Sequence, residues 1–165
     1  MAPAIASLVP GAPVVVWTNF LGRDPILATA RSLGYAEVVG EFVWAKRTKE
    51  SSGNEEMLRV YETAFVLATG PEAPPSPCDP SRAWAVVAGY DDDGEASRWG
   101  DHPNHKPFGV LESLVRDRSR PGDLVLDPFG GSGSIAAAAV RLGRRAATIE
   151  IEPEWVGRIE ARLRS

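Results

Sequence analysis

The residues best suited to chemistry lie between Pro121 and Gly133, in the stretch PGDLVLDPFGGSG. A short apolar run, Leu124-Val125-Leu126, ends in Asp127, Pro128 and Phe129, and Gly130-Gly131-Ser132-Gly133 then leads into the helix-prone SIAAAAVRL. That order predicts a strand, a tight turn and a helix. Glycines let the backbone bend sharply and approach a ligand closely, and the first N–H groups of the new helix offer donors to a polar or anionic group. Gly131, Gly133 and Ala136 also spell G-x-G-x-x-A, a weak signal by itself because such turns serve plain packing as well.

Two neighbours aim at the same crevice. Upstream, HPNHKP (His102 to Pro107) precedes an amphipathic stretch with Phe108, Leu111, Leu114 and Val115 on one helical face. Downstream, the apolar run Ala146 to Ile151 carries Glu150 near its end, about where nucleotide-binding sheets place an acid for ribose hydroxyls. His102 and His105 have a spacing that can bind metal. With Cys78 remote and no further histidine, a closed site would have to draw carboxylates from an acidic loop, and no metal is expected.

HPNHKP, then PGDLVLDPFGGSG, then GRRAATIEI resembles the C-terminal part of the DNA amino-methyltransferases of the beta order, which modify adenine N6 or cytosine N4 with S-adenosyl-L-methionine. In that family HP-x-x-KP precedes D-P-F-x-G-S-G, which precedes a glutamate in a G-x-E-type strand. All three match in order and spacing over residues 102 to 165, with Thr148 where the family more often has glycine. The resemblance implies an α/β, Rossmann-like methyltransferase sheet, double-stranded DNA as partner, and a place among site-specific, often restriction-linked, methyltransferases. It also implies site roles. Asp127, Pro128 and the Gly130, Gly131, Ser132, Gly133 turn would receive the methionine end, and Phe129 would line the pocket. Glu150 would accept hydrogen bonds from the ribose, while His102, Lys106 and Pro107 would close the carboxylate side. Taken singly, Glu150 also reads as an exposed strand end and Lys106 as a surface lysine.

Those elements must be positioned by the rest of the chain. Its 165 residues suffice for one domain with a real core, and 44% hydrophobic with 24% charged residues is an ordinary globular composition. No apolar run approaches membrane-spanning length, and the proline-broken N-terminus lacks a signal peptide's basic start. A single cysteine excludes an internal disulfide, and a cytoplasmic location is expected. A net charge of -4 excludes nucleic-acid binding by bulk positive potential. Basic clusters at Lys46 to Lys49, Arg116 to Arg120 and Arg141 to Arg145 read as solvated faces and helix C-termini, with local phosphate contacts as the alternative.

In chain order, Pro13 to Trp17 reads as a buried strand. Asp24 is expected to cap a helix with Pro25 at its first position and Ile26, Leu27, Ala30 and Leu33 on its apolar side. Glu37 to Lys46 and Arg59 to Ala68 read as an antiparallel hairpin at a sheet edge, joined by ESSGNEE. Residues 69–101 read as a Pro/Gly/Asp-rich loop in which Trp84, Tyr90 and Trp99 either stack on bases or cover the core. After residue 102 the strand–helix rhythm returns, ending in a helix with Trp155, Ile159 and Leu163 as its core stripe. Residues 1–165 thus read as a single methyltransferase-like domain of three parts, 1–68, 69–101 and 102–165.

One part of the family pattern is absent. Methyl transfer to an exocyclic amine needs a hydrogen-bond acceptor on that amine and an aromatic face against the extruded base. The family supplies both in a D/N/S-P-P-Y/F/W tetrapeptide. Ala73-Pro74-Pro75-Ser76 has neither acceptor nor ring, so no catalytic residue is assigned. In the family that tetrapeptide sits on a central strand between the glycine-turn strand and the Val14 to Trp17 strand. The expectation is a C-terminal portion or one half of a split enzyme, with Met1 an internal start and a complementing N-terminal chain carrying the motif. A non-catalytic S-adenosylmethionine-binding module is the alternative, and a nicotinamide-binding Rossmann domain a further one.

Overall fold

A computed structural model describes residues 8–47, 61–69, 84–90, 94–99 and 102–165. Its contacts divide the chain into two compact units, residues 1–89 and 90–165.

In the first unit, β1 (Val14–Thr18) is followed by a 3-10 turn at Phe20–Gly22 and helix α1 (Arg23–Ser32). The expected cap at Asp24 lies inside the first turn of α1 instead. The winding starts earlier because the Asn19 carboxamide oxygen accepts the Leu21 and Gly22 N–H groups at 3.0 and 3.2 Å. Asp24 there still suits the positive end of the helix dipole. Ala30 of α1 joins Tyr35, Phe65 and Leu67 in a buried cluster, with Val14, Val16, Leu27, Leu33 and Val38 packed against it.

Strands β2 (Glu37–Arg47) and β3 (Tyr61–Ala68) pair antiparallel as expected, with a register shift between Val38 and Gly40. Their place in the sheet differs from the expectation. The order is β1-β3-β2-β4, where β4 spans Trp84–Tyr90, so the hairpin is interior rather than at an edge. Every residue from Thr63 to Ala68 is buried, as a strand covered on both faces requires. β4 arises inside the stretch expected to be irregular, because the last proline is Pro80 and Trp84 opens a run, WAVVAGY, that suits a pleated strand. The side chains of Trp84 and Tyr90, the ESSGNEE loop, Cys78 and Ala73 to Ser76 lie outside the described residues.

The second unit holds α2 (Glu95–Trp99), α3 (Phe108–Arg118), β5 (Leu124–Asp127), α4 (Ser134–Arg141), β6 (Arg145–Thr148) and α5 (Pro153–Arg164). β5 and β6 are parallel neighbours, from Leu124 opposite Arg145 to Asp127 opposite Thr148, and α4 makes the crossover that parallel pairing demands. The alanines from 136 to 139 and Val110, Leu111, Leu114 and Val115 of α3 are buried. β6 stops at Thr148, short of the expected Ile151, which leaves Glu150 beyond the strand. On α5 the expected stripe is partly replaced: Ile159 is buried, but Leu163 is 37% exposed and Arg162 only 5%. Among the described residues β5 pairs only with β6 and β1 only with β3, so each sheet ends in an open edge there. Among the described residues no helix is long and apolar enough to cross a membrane.

A buried cation locks the ends of two helices in this unit. Arg144 donates to the Leu142 carbonyl at 2.6 Å, the Ser119 carbonyl at 2.7 Å and the Ser119 hydroxyl at 3.0 Å. These acceptors lie just past the ends of α3 and α4, where carbonyls lack intrahelical partners. Arg144→Ala strands them, and urea denaturation is expected to show a loss of about 2–4 kcal/mol.

Candidate cofactor site

β5 and β6 end side by side, and their ladder continues past the regular strands. The Ile149 N–H donates to the Asp127 carbonyl at 2.9 Å and the Gly130 N–H to the Ile149 carbonyl at 2.8 Å. The carboxyl ends of adjacent parallel strands form the crevice in which open α/β sheets bind ligands. The turn closes on itself through a 2.8 Å bond from the Gly133 N–H to the Gly130 carbonyl.

Glycine is required in that turn for two reasons. Gly131 and Gly133 sit at φ +52° and +73°, in the left-handed region that side chains resist. Space is also short: a Cβ at Gly133 would lie 3.0 Å from the Ile159 side chain, and one at Gly131 would lie 3.0 Å from the His102 ring. Thr148 gains its place in the same way. Its buried hydroxyl, without a hydrogen-bond partner, fits against Gly130, where a Cβ would come within 2.5 Å of Oγ1.

The Glu150 carboxylate is held against this turn. Oε2 accepts the Gly131 N–H at 2.6 Å, and Oε1 accepts the Ile151 and Glu152 N–H groups at 2.7 and 3.0 Å. The Glu152 N–H first, then those of Gly131 and Ile151 and the charge of His102, hold its pKa below the usual carboxylate range. Two carboxylate oxygens offer about four lone pairs, so acceptor capacity is left for a ligand hydroxyl. Asp127 is the opposite case. Burial pushes its pKa up and Glu150 adds to that, while the Phe129 N–H at 3.1 Å opposes both.

HPNHKP supplies the third side. The His102 ring lies over Gly131 and edge-on to Trp155 at 4.6 Å, and its Nδ1 accepts the Asn104 N–H at 3.1 Å. Burial lowers its pKa and Lys106 lowers it further, against the pull of Glu150. Lys106 is buried and donates to the Asn104 carbonyl at 3.2 Å. Pro107 occupies the cap position of α3. His105, weighed above only as a metal ligand, is buried with Nδ1 at 3.1 Å from both the Ser132 and Ser134 hydroxyls. Asp127, the Gly130 to Gly133 turn, Glu150 and His102 therefore converge. Pro128 is half-buried and Phe129 is 72% exposed.

A family model for DNA methylases of the N6/N4 class matches residues 29–160. The chain belongs to this DNA methylase family. It is 35% identical over 132 residues to the protein YubD of Escherichia coli (strain K12), a match covering 80% of this chain and 53% of YubD. With the Type II methyltransferase M2.DpnII of Streptococcus pneumoniae it shares 40% identity over 70 residues, covering 42% of this chain and 26% of that protein. The matched part of the chain thus spans about half of YubD and about a quarter of M2.DpnII. Among solved structures, M1.HpyAVI in complex with SAM superposes with a TM-score of 0.73 at 20% identity, over 98% of this chain and 79% of that one. The cytosine-N4-specific PvuII DNA methyltransferase gives 0.68 at 20% identity, over 91% and 63% of the two chains. The expected Rossmann-like α/β fold, incomplete in its sheets and with an antiparallel hairpin, is the fold observed.

Two substitutions separate shape from charge in the methylase turn. Gly133→Ala meets both the left-handed backbone and Ile159, and thermal unfolding is expected to show a loss of about 1–3 kcal/mol. Asp127→Asn keeps an acceptor for the Phe129 N–H while removing a buried charge. Its melting temperature should equal or exceed that of the wild type, and a clear drop would refute the assignment of burial as the dominant influence.

Proposed function

We propose that this chain is the S-adenosyl-L-methionine-binding portion of a DNA amino-methyltransferase acting on adenine N6 or cytosine N4. The observation that carries this is the Glu150 carboxylate bonded to the Gly131 amide at the joint end of two parallel strands. A nucleoside there would find an ionised acceptor for its diol beside a turn whose glycines carry no side chains of their own. The donor set fits the rest of that ligand: Asp127 and the turn for an amino acid's ammonium and carboxylate, with His102 and Lys106 on the carboxylate side. When bound, the cofactor supplies a methyl group on a positively charged sulfur. Phe129, exposed at the mouth of the turn, gives an apolar wall for the neutral part of such a ligand.

The open edge of β5 supports the second half of the proposal, that a complementing chain brings the missing D-P-P-Y-like segment on a strand. Parallel sheets are stable where they are extended and covered, and among the described residues one edge of β5 has no strand to answer its donors and acceptors. The partner substrate is double-stranded DNA, approached through local contacts, since the net charge of -4 gives no general attraction.

Calorimetric titration tests the cofactor assignment. The wild-type chain should bind S-adenosyl-L-methionine, and Glu150→Ala should weaken binding at least about tenfold by removing both the diol acceptor and the tether on Gly131. NAD in its place should give no comparable signal, and preferential NAD binding would reverse the reading. Because its folded pKa is depressed, Glu150 contributes above the usual carboxylate range and its contribution is lost as pH falls through the lowered value. The part of the affinity that Glu150→Ala removes should therefore persist through the usual carboxylate range and be lost only at lower pH. Transfer of labelled methyl to DNA should be absent with the chain alone and appear on adding a chain that bears the tetrapeptide. Methylation by the isolated chain would rule out the split arrangement.

A further inference from the structure

The glycine turn is also gripped from behind, by a charged side chain that no role described so far uses. Arg162 of α5 has a side chain only 2% exposed. Its Nη1 donates to the Ser132 carbonyl at 3.0 Å and reaches the Ser134 hydroxyl at 3.4 Å. Its Nη2 pairs with the Glu95 carboxylate of α2, and the guanidinium lies 5.9 Å from the centre of the Trp99 ring. Glu95 also takes Arg141 at the end of α4, and despite burial the two arginines hold its pKa below the usual range.

This is a costly arrangement for a merely structural contact. A buried cation loses its hydration, and here it lies beside the N-terminus of α4, whose dipole repels positive charge. Glu95 offsets that, and the geometric return is control over one peptide plane. Fixing the Ser132 carbonyl fixes the plane between Ser132 and Gly133, and with it the approach to the first amides of α4. The hydroxyls of Ser132 and Ser134, 2.8 Å apart and both bonded to His105, fix the other side of the same turn. Because guanidinium is a planar fork, it can meet a carbonyl and a carboxylate at once, which an ammonium on a flexible stem cannot do in the same pose.

We propose that Arg162 is a positioning residue for the cofactor turn, held in pose by Glu95 and Trp99, so that order in the α2 segment and shape of the turn are coupled. The proposal rests on the cofactor reading above, and its test has one arm that does not. In Arg162→Met, hydrogen exchange of the Gly131 to Ser134 amides should speed up while the β5 amides Leu124 to Leu126 keep their protection. S-adenosyl-L-methionine affinity should fall about tenfold, with Arg162→Lys intermediate at about threefold because the charge stays and the fork is lost. Arg164→Met, on the same helix but paired with Glu160 at the surface, should change neither readout. Should Arg162→Met fail to fold, Arg162→Lys decides alone by the same two measurements. Unchanged exchange in the turn overturns the proposal. Faster exchange with no cofactor binding by the wild type would retain the positioning role and sink the cofactor reading.

Discussion

The hydrogen bond from the Gly131 amide to the Glu150 carboxylate is the constraint on which the site depends. It ties the turn after one strand to the loop after its neighbour, and it is available only because β5 and β6 run parallel and end level. A carboxylate that accepts three backbone N–H groups stays ionised and stays put. The turn in turn cannot relax away from it, because Gly131 lies under the His102 ring and Gly133 against Ile159. Sequence-distant groups thus meet in one crevice through backbone geometry, with side chains filling the remaining space.

Charge is distributed around that crevice in an ordered way. Ionised Glu150 sits at the solvent side, while the raised pKa of Asp127 marks a carboxyl that burial penalises in its charged form. Such a pair is poorly arranged for stability and well arranged for a ligand carrying a positive group, whose arrival would compensate the buried acid. The buried cations bond to carbonyls, Arg144 to those of Leu142 and Ser119 and Arg162 through its two Nη atoms to that of Ser132 and to Glu95, so each acts as an internal bracket rather than as a surface charge. That accounts for part of the Arg141 to Arg145 cluster without invoking phosphate. Trp99 contributes its ring beside the Arg162 guanidinium, 5.9 Å from the ring centre.

Legibility in the sequence followed the range of the interactions involved. The glycine turn, β5, α4 and the start of α5 at Pro153 are set by local backbone chemistry, and each could be read from spacing alone. Glu150 is less simply encoded. It follows β6 rather than ending it, and it reaches the turn because the Ile149 to Asp127 bond prolongs the ladder past the strand. Asp24 lies inside the first turn of α1 rather than at its cap because Asn19 begins the winding earlier, a short-range effect that two rival capping residues in one stretch leave ambiguous. Arg162 was invisible for a deeper reason. A period of four puts Trp155, Ile159 and Leu163 on one side, and nothing local tells an arginine next to Leu163 to turn inward. Its partner Glu95 is 67 residues away, in a segment that composition described as a loop. β4 was hidden by the prolines just before it, which dominated the reading of the whole stretch.

Among the described residues β5 and β1 each present an open edge. Edge strands in finished proteins are commonly short, charged, bulged or covered. β5, by contrast, is Leu-Val-Leu-Asp, with Leu124 55% exposed, and β1 is Val-Val-Val-Trp-Thr, without one charged residue between them until Asp127. Sequences of that kind are written for the middle of a sheet, where both neighbours answer the backbone and both faces are packed. The same two strands are those between which the resemblance implies a motif-bearing neighbour. The composition of the strands and the missing tetrapeptide are independent observations, one about solvation of backbone and apolar surface, the other about chemistry on an amine. They agree because a strand that would complete the sheet is also the one that would bring an acceptor and an aromatic ring to the target base. On the proposed reading, then, one supplied segment would answer both the free backbone edge of β5 and the chemistry required at the amine.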